Sequence, residues 1–66
     1  MTKREAERLA KKALEEVAVD EPATVADCTV LYLNQDGTYS VCDNGEEVDG
    51  LDRQNAIRII VENLTV

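Results

Sequence analysis

Apolar residues Ala6, Leu9, Ala10, Ala13, Leu14 and Val17 recur at spacings of three and four through the first seventeen residues. That is the period that lines one side of an α-helix. Thr2 followed three positions later by Glu5 has the capping-box form, in which each side chain answers a free backbone N–H at the other position. On the polar side Lys3 and Glu7, Glu7 and Lys11, Lys11 and Glu15, and Lys12 and Glu16 stand four apart and are expected to pair across turns, for about 0.2–0.5 kcal/mol each. This side reads as a solvated face rather than a basic patch.

The stretch from Val19 to Asp27 holds the single proline. Pro22 has no backbone donor and disfavours helical geometry at Glu21, so the helix is expected to end before it and the stretch to serve as a connector. From Cys28 the pattern changes to β-branched and aromatic residues, Cys-Thr-Val-Leu-Tyr-Leu and then Thr-Tyr-Ser-Val-Cys, separated by Asn34-Gln35-Asp36-Gly37. Two strands joined by a turn form a hairpin. A two-residue turn at Asp36-Gly37 would set Tyr32 opposite Val41 and leave both faces equally apolar. A three-residue loop, Gln35-Asp36-Gly37, with Gly37 in the left-handed position, sets Leu33 opposite Tyr39 and Leu31 opposite Val41. The second register is preferred because it collects Leu31, Leu33, Tyr39 and Val41 on one face.

Asn44-Gly45 suits a two-residue type I′ turn, since both residues tolerate positive φ. It places Val48 opposite Val41 on a short third strand, Glu46 to Asp49, and sets Asp43 against Glu46, an unfavourable like-charge pair. After Gly50, Asp52 can cap a last helix and Leu51 can pack back on Ala56. Ala56, Ile57, Ile60, Val61 and Leu64 project within roughly 140° of arc, which Ile59 widens to about 200°. Leu64, Thr65 and Val66 leave an apolar end.

The expected fold is α+β, one domain over residues 1–66 in the order α-β-β-β-α: a three-stranded antiparallel meander with the N- and C-terminal helices packed on the sheet. The expected core is Leu31, Leu33, Tyr39, Val41, Val48, Ile57, Ile60 and Leu64, with Leu9 and Leu14. Val30, Tyr32 and Cys42 share the far face, which stays uncovered if both helices lie on the Leu31 side and is buried if one helix lies on each side.

In element order, residues 28–64 resemble the arm-DNA-binding domain of phage integrases, a three-stranded antiparallel sheet braced by a C-terminal helix. The resemblance implies DNA reading by basic residues on the sheet. Here no Lys or Arg occurs between Lys12 and Arg53, so direct nucleic-acid binding is not expected.

Charge sharpens that conclusion. The 66 residues carry seven Lys and Arg against fourteen Asp and Glu, a formal charge of −7, the wrong sign for a binder of nucleic acid or an anionic membrane. No apolar run approaches the roughly 18 residues of a membrane span and no signal-peptide pattern opens the chain. Two cysteines are too few for a secreted disulfide framework. Cys28 and Cys42 are therefore expected to be reduced, and the protein cytoplasmic, in the host cytoplasm if phage-encoded.

Catalysis is not expected. Without His the commonest general base is absent, neither Cys nor Ser40 has an activating partner in sequence, and Glu46 and Glu47 point to opposite sides of a strand. No cofactor or metal is expected either. The acidic run from Asp43 to Asp52 has its first glycine third, which does not fit a calcium loop, and two Cys without His make no zinc set.

What remains is charge segregation. Residues 13–52 contain eleven acids and no Lys or Arg, whereas an ordinary soluble surface intersperses signs. Alternate residues on a strand lie about 6.8 Å apart, comparable to neighbouring phosphates, so carboxylates on a sheet can stand where phosphates would. The expected partner is a basic protein surface, that of a nucleic-acid-handling protein, met by Asp36, Asp43, Glu46, Glu47, Asp49 and Asp52 with Tyr32. In size, acidity and lack of catalytic groups the chain is similar to phage-encoded inhibitors of the anti-CRISPR type, which implies a non-enzymatic inhibitor. The alternative is a stand-alone structural or halophilic domain whose charge has no partner. A calcium-responsive module comes third.

Overall fold

The computed structural model describes residues 1–65; Val66, the last of the apolar C-terminal residues, lies outside them. Helix α1 covers Lys3–Glu16, strands β1 to β4 cover Ala23–Ala26, Thr29–Leu33, Tyr39–Asp43 and Glu46–Leu51, and helix α2 covers Arg53–Leu64. The strands form one antiparallel sheet in chain order. The class is α+β as the pattern predicts, but the meander has four strands, not three.

The additional strand lies in the stretch read as a connector. Ala18 and Glu21 exchange backbone hydrogen bonds of 2.9 and 3.0 Å around Val19-Asp20, which turns the chain back after α1. Pro22 then stands just ahead of β1, where a missing donor breaks no ladder bond. Ala23 pairs with Leu31 and Thr24 with Val30, and a bulge brings Ala26 opposite Thr29. Four residues with two alanines carry little β signal. The burial of Ala23 and Val25 against the core, with Thr24 exposed, is what makes them a strand.

Both helix starts follow the sequence. Thr2 Oγ1 accepts the Glu5 N–H at 3.2 Å and Asp52 Oδ1 accepts the Asn55 N–H at 2.8 Å. The Glu5 carboxylate does not complete a capping box; it stands 3.8 Å from Arg8. The four expected Lys–Glu pairs of α1 do not close either, and the ion pairs among the described residues are Arg8–Glu5 and Arg58–Glu62, both solvent-exposed. Long exposed side chains gain little from being held in one geometry.

The two hairpins have the expected registers. Leu33 faces Tyr39 and Leu31 faces Val41, around a loop in which the Gly37 N–H bonds Asn34 O at 3.0 Å, the Asn34 N–H bonds Thr38 O at 2.8 Å, and Gly37 has φ +88°. Asn44 and Gly45 both have positive φ, and Asp43 faces Glu46 and Val41 faces Val48. The fourth strand runs two residues beyond Asp49. Tyr39 pairs with Leu51 rather than Gly50, which leaves Gly50, at φ +70°, as the extra residue of a bulge. Gly50, expected to lie between the last strand and the last helix, is inside the strand.

Both helices lie on the Leu31/Val41 face, α1 against β1 and α2 mainly against β3. The core joins Ala10, Ala13, Leu14, Ala23, Val25, Leu31, Val41, Ala56 and Ile60, with Leu9, Tyr39, Leu51, Ile57 and Leu64 packed around it. Alanines on both helices let them approach the sheet and each other closely. Two expected core members differ. Val48 is 41% exposed, because α2 meets β3 far more than β4, and Leu33 is only half-buried at the end of β2. Among the described residues no helix covers the opposite face, where Val30, Tyr32 and Cys42 are half-buried.

Candidate functional site

The two layers differ in charge. All seven Lys and Arg lie on α1 and α2 together with five carboxylates, whereas residues 18–52, the sheet with its turns and the α2 cap, carry nine carboxylates and no cation. The acidic stretch is therefore a layer of the molecule.

Within that layer the expected binding residues separate into two kinds. Asp36 Oδ1 accepts the Thr38 hydroxyl at 2.7 Å and the Thr38 N–H at 3.0 Å. These bonds, the hydroxyl's first, hold its carboxyl below the ordinary aspartate range by favouring the charged form. Asp43 accepts the hydroxyl of buried Thr29 at 2.6 Å, Asp49 accepts the Ser40 hydroxyl at 2.7 Å, and Asp52 caps α2. Four of the six carboxylates thus build the fold, Asp52 in the capping role expected of it and Asp36, Asp43 and Asp49 in roles the pattern does not announce. Glu46 and Glu47 are exposed and have no hydrogen-bond or ion-pair partner among the described residues.

They do not make one patch. Asp43, paired with Glu46, shares the helix-facing side of the sheet with Leu31 and Val41. Glu47, paired with Cys42, shares the open side with Tyr32, Ser40 and Asp49. The repulsion expected between Asp43 and Glu46 is met on one side only, where the Thr29 hydroxyl donates to Asp43. Asp36 lies in the β2–β3 turn, at the end of the sheet away from Asp43 and the same end as Asp52.

Three positioning residues were not legible in the pattern. Asn34 Nδ2 donates to Thr38 Oγ1 at 3.1 Å and to Ser40 Oγ at 2.9 Å, and Ser40 passes the chain of bonds on to Asp49. The sequence did carry one signal for this, the Asp36-x-Thr38 spacing of an Asx turn. Ser40 is 4% exposed although it lies on the uncovered face, and it holds Asp49 by one oxygen, the other having no hydrogen-bond partner among the described residues.

Among the described residues no group of three or more His, Cys, Asp or Glu is placed to hold a metal ion, and both cysteines are unbridged. An open surface depression runs along Arg4, Glu7, Arg8, Lys11, Lys12 and Glu15 on α1. No described helix is long and apolar enough to cross a membrane.

The fold class is thus a two-layer α+β sandwich of helix, four-stranded antiparallel meander and helix. Comparison of the chain with protein-family models, curated proteins and solved structures finds no significant match. The fourth strand also departs from the three-stranded plan on which the likeness to integrase arm-binding domains rests.

Proposed function

We propose that this chain is a small non-enzymatic interaction protein whose acidic sheet layer occupies the basic surface of a nucleic-acid-handling protein, in the manner of a phage-encoded inhibitor of the anti-CRISPR type acting in the host cytoplasm. The observation that carries the reading is the separation of charge by layer: nine carboxylates and no cation on residues 18–52. A field of one sign steers an oppositely charged partner and speeds encounter. Glu46 and Glu47, without hydrogen-bond or ion-pair partners among the described residues, supply flexible contacts, and Asp49, held by Ser40, supplies a fixed one. Fixed acceptors bind without the entropic cost of ordering.

The test begins with capture of partners from host extract at low ionic strength. Displacement of DNA or RNA from the captured protein is then measured as salt rises, because a mimic and the nucleic acid cannot share one groove. Simultaneous Glu46→Lys and Glu47→Lys is expected to weaken binding about tenfold or more and to flatten its salt dependence. Glu5→Lys on α1 should leave it nearly unchanged. Binding indifferent to salt and to both reversals would overturn the reading. The absence of any basic partner, with stability rising steeply in molar salt, would establish the halophilic alternative.

A further inference from the structure

The sheet has two edges of different kinds. β1 is four residues long, bulged, and preceded by Pro22, and such an edge offers little to a visiting strand. β4 is six residues long and its first five are exposed.

The direction of its backbone groups follows from the ladder. The bonds Asn34 N–H to Thr38 O and Asn44 N–H to Cys28 O mark the hydrogen-bonded pairs of the β2–β3 ladder, and the antiparallel alternation then gives Ser40 and Cys42 to β2. Tyr39, Val41 and Asp43 turn toward β4, where they meet Leu51, Val48 and Glu46. Glu47 and Asp49 therefore direct their N–H and C=O groups away from the sheet, unpaired.

The side chains set what could pair there. On the open face the edge shows Glu47 and Asp49; on the helix-facing side it shows Val48, 41% exposed because α2 scarcely reaches it. A second copy of this chain pairing edge to edge would bring like carboxylates together, which is unfavourable. The complement is a strand with basic side chains toward the open face and an apolar one against Val48.

We propose that β4 is a strand-addition site: an extended segment of a partner, alternating basic and apolar residues, joins the sheet as a fifth strand, bonding the backbone of Glu47 and Asp49, pairing its cations with their carboxylates and covering Val48. Main-chain bonds supply affinity in this mode and alternate side chains supply specificity. The inference rests on the acidic-layer reading above and adds a mode of binding to it.

The probe is a blocked peptide of four alternating valine–lysine repeats, compared with one of the same composition in which four valines precede four lysines, both at low salt. Amide hydrogen exchange followed by NMR is expected to slow at Glu47 and Asp49 with the alternating peptide only. Glu47→Pro removes an outward N–H that β3 does not use, so the fold survives by circular dichroism while affinity for the alternating peptide drops about tenfold. Glu47→Gln, which loses the charge and keeps the N–H, should lose less. Equal binding of both peptides without protection at Glu47 and Asp49 would overturn strand addition and leave the acidic-layer reading standing. Binding of neither peptide would also overturn strand addition, and the charge reversals against a captured partner would then decide the acidic-layer reading by themselves.

Discussion

The helical layer and the sheet layer handle charge in opposite ways. On α1 and α2 both signs are interspersed, and little comes of it: two exposed ion pairs, one of them 3.8 Å long. In the sheet layer one sign stands alone, yet four aspartates there are held by hydroxyls, turn amides or a helix N-terminus. Acid spacing in a sequence therefore marks where negative charge lies, whereas hydrogen-bond donors decide which carboxylates are available. The hydroxyls of Thr29, Thr38 and Ser40 bond carboxylates that lysines would otherwise be expected to pair, and they leave the layer's net charge intact.

Loosening the contact between the two layers should have the largest effect on the molecule. Leu31 and Ile60 are fully buried where the two meet, and Leu31→Ala or Ile60→Ala should cost about 2–5 kcal/mol by urea denaturation, enough to threaten the fold. Leu33→Ala, at a half-buried strand end, should cost clearly less. Equal losses at the three positions would show that the core extends to the sheet's end.

A middle-sized effect tests the donors. Thr29→Val keeps the buried shape and removes the hydroxyl that Asp43 accepts beside Glu46. A loss of about 1–3 kcal/mol is expected, and Glu46→Gln in the same chain should recover part of it by relieving the like-charge pair. An unchanged denaturation midpoint for Thr29→Val would mean that water replaces the donor at no cost.

The smallest effect concerns acid. The carboxyl of Asp36 is held below its ordinary value in the folded state, so the folded chain binds its proton less readily than the unfolded one. Its contribution is complete above the ordinary aspartate pKa and disappears as pH falls through the lowered folded value. Asp36→Asn should lower the neutral thermal midpoint slightly, leave the midpoint below the lowered folded value nearly unchanged, and so make the acid-side decline shallower. A steeper acid decline in this variant would reverse the assignment.

The sequence and the fold agree most closely where turn chemistry dictates geometry. Gly37 and Asn44-Gly45 require positive φ, and those requirements set both hairpin registers and with them the two faces. β1 was illegible because Ala23-Thr24-Val25-Ala26 has weak β preference and is made a strand by tertiary burial. The register partner of Val48 predicts its side of the sheet correctly but carries no information on how far α2 reaches. For the candidate site, the positions of the carboxylates and the Asp52 cap are readable, but the holding of Asp43 and Asp49 depends on Thr29 and Ser40, which lie 14 and 9 residues from them in the chain.

The placement of the two tyrosines on opposite faces gives the molecule a pair of independent optical reporters. Neither Trp nor Phe is present, so the near-ultraviolet signal of the aromatic rings comes from Tyr39, packed against the core, and Tyr32, half-buried on the uncovered face. With Tyr32 replaced by leucine, the remaining ring follows assembly of the helices on the sheet. With Tyr39 replaced instead, the ring on the open side follows whatever settles there, without any label being attached to the surface under study.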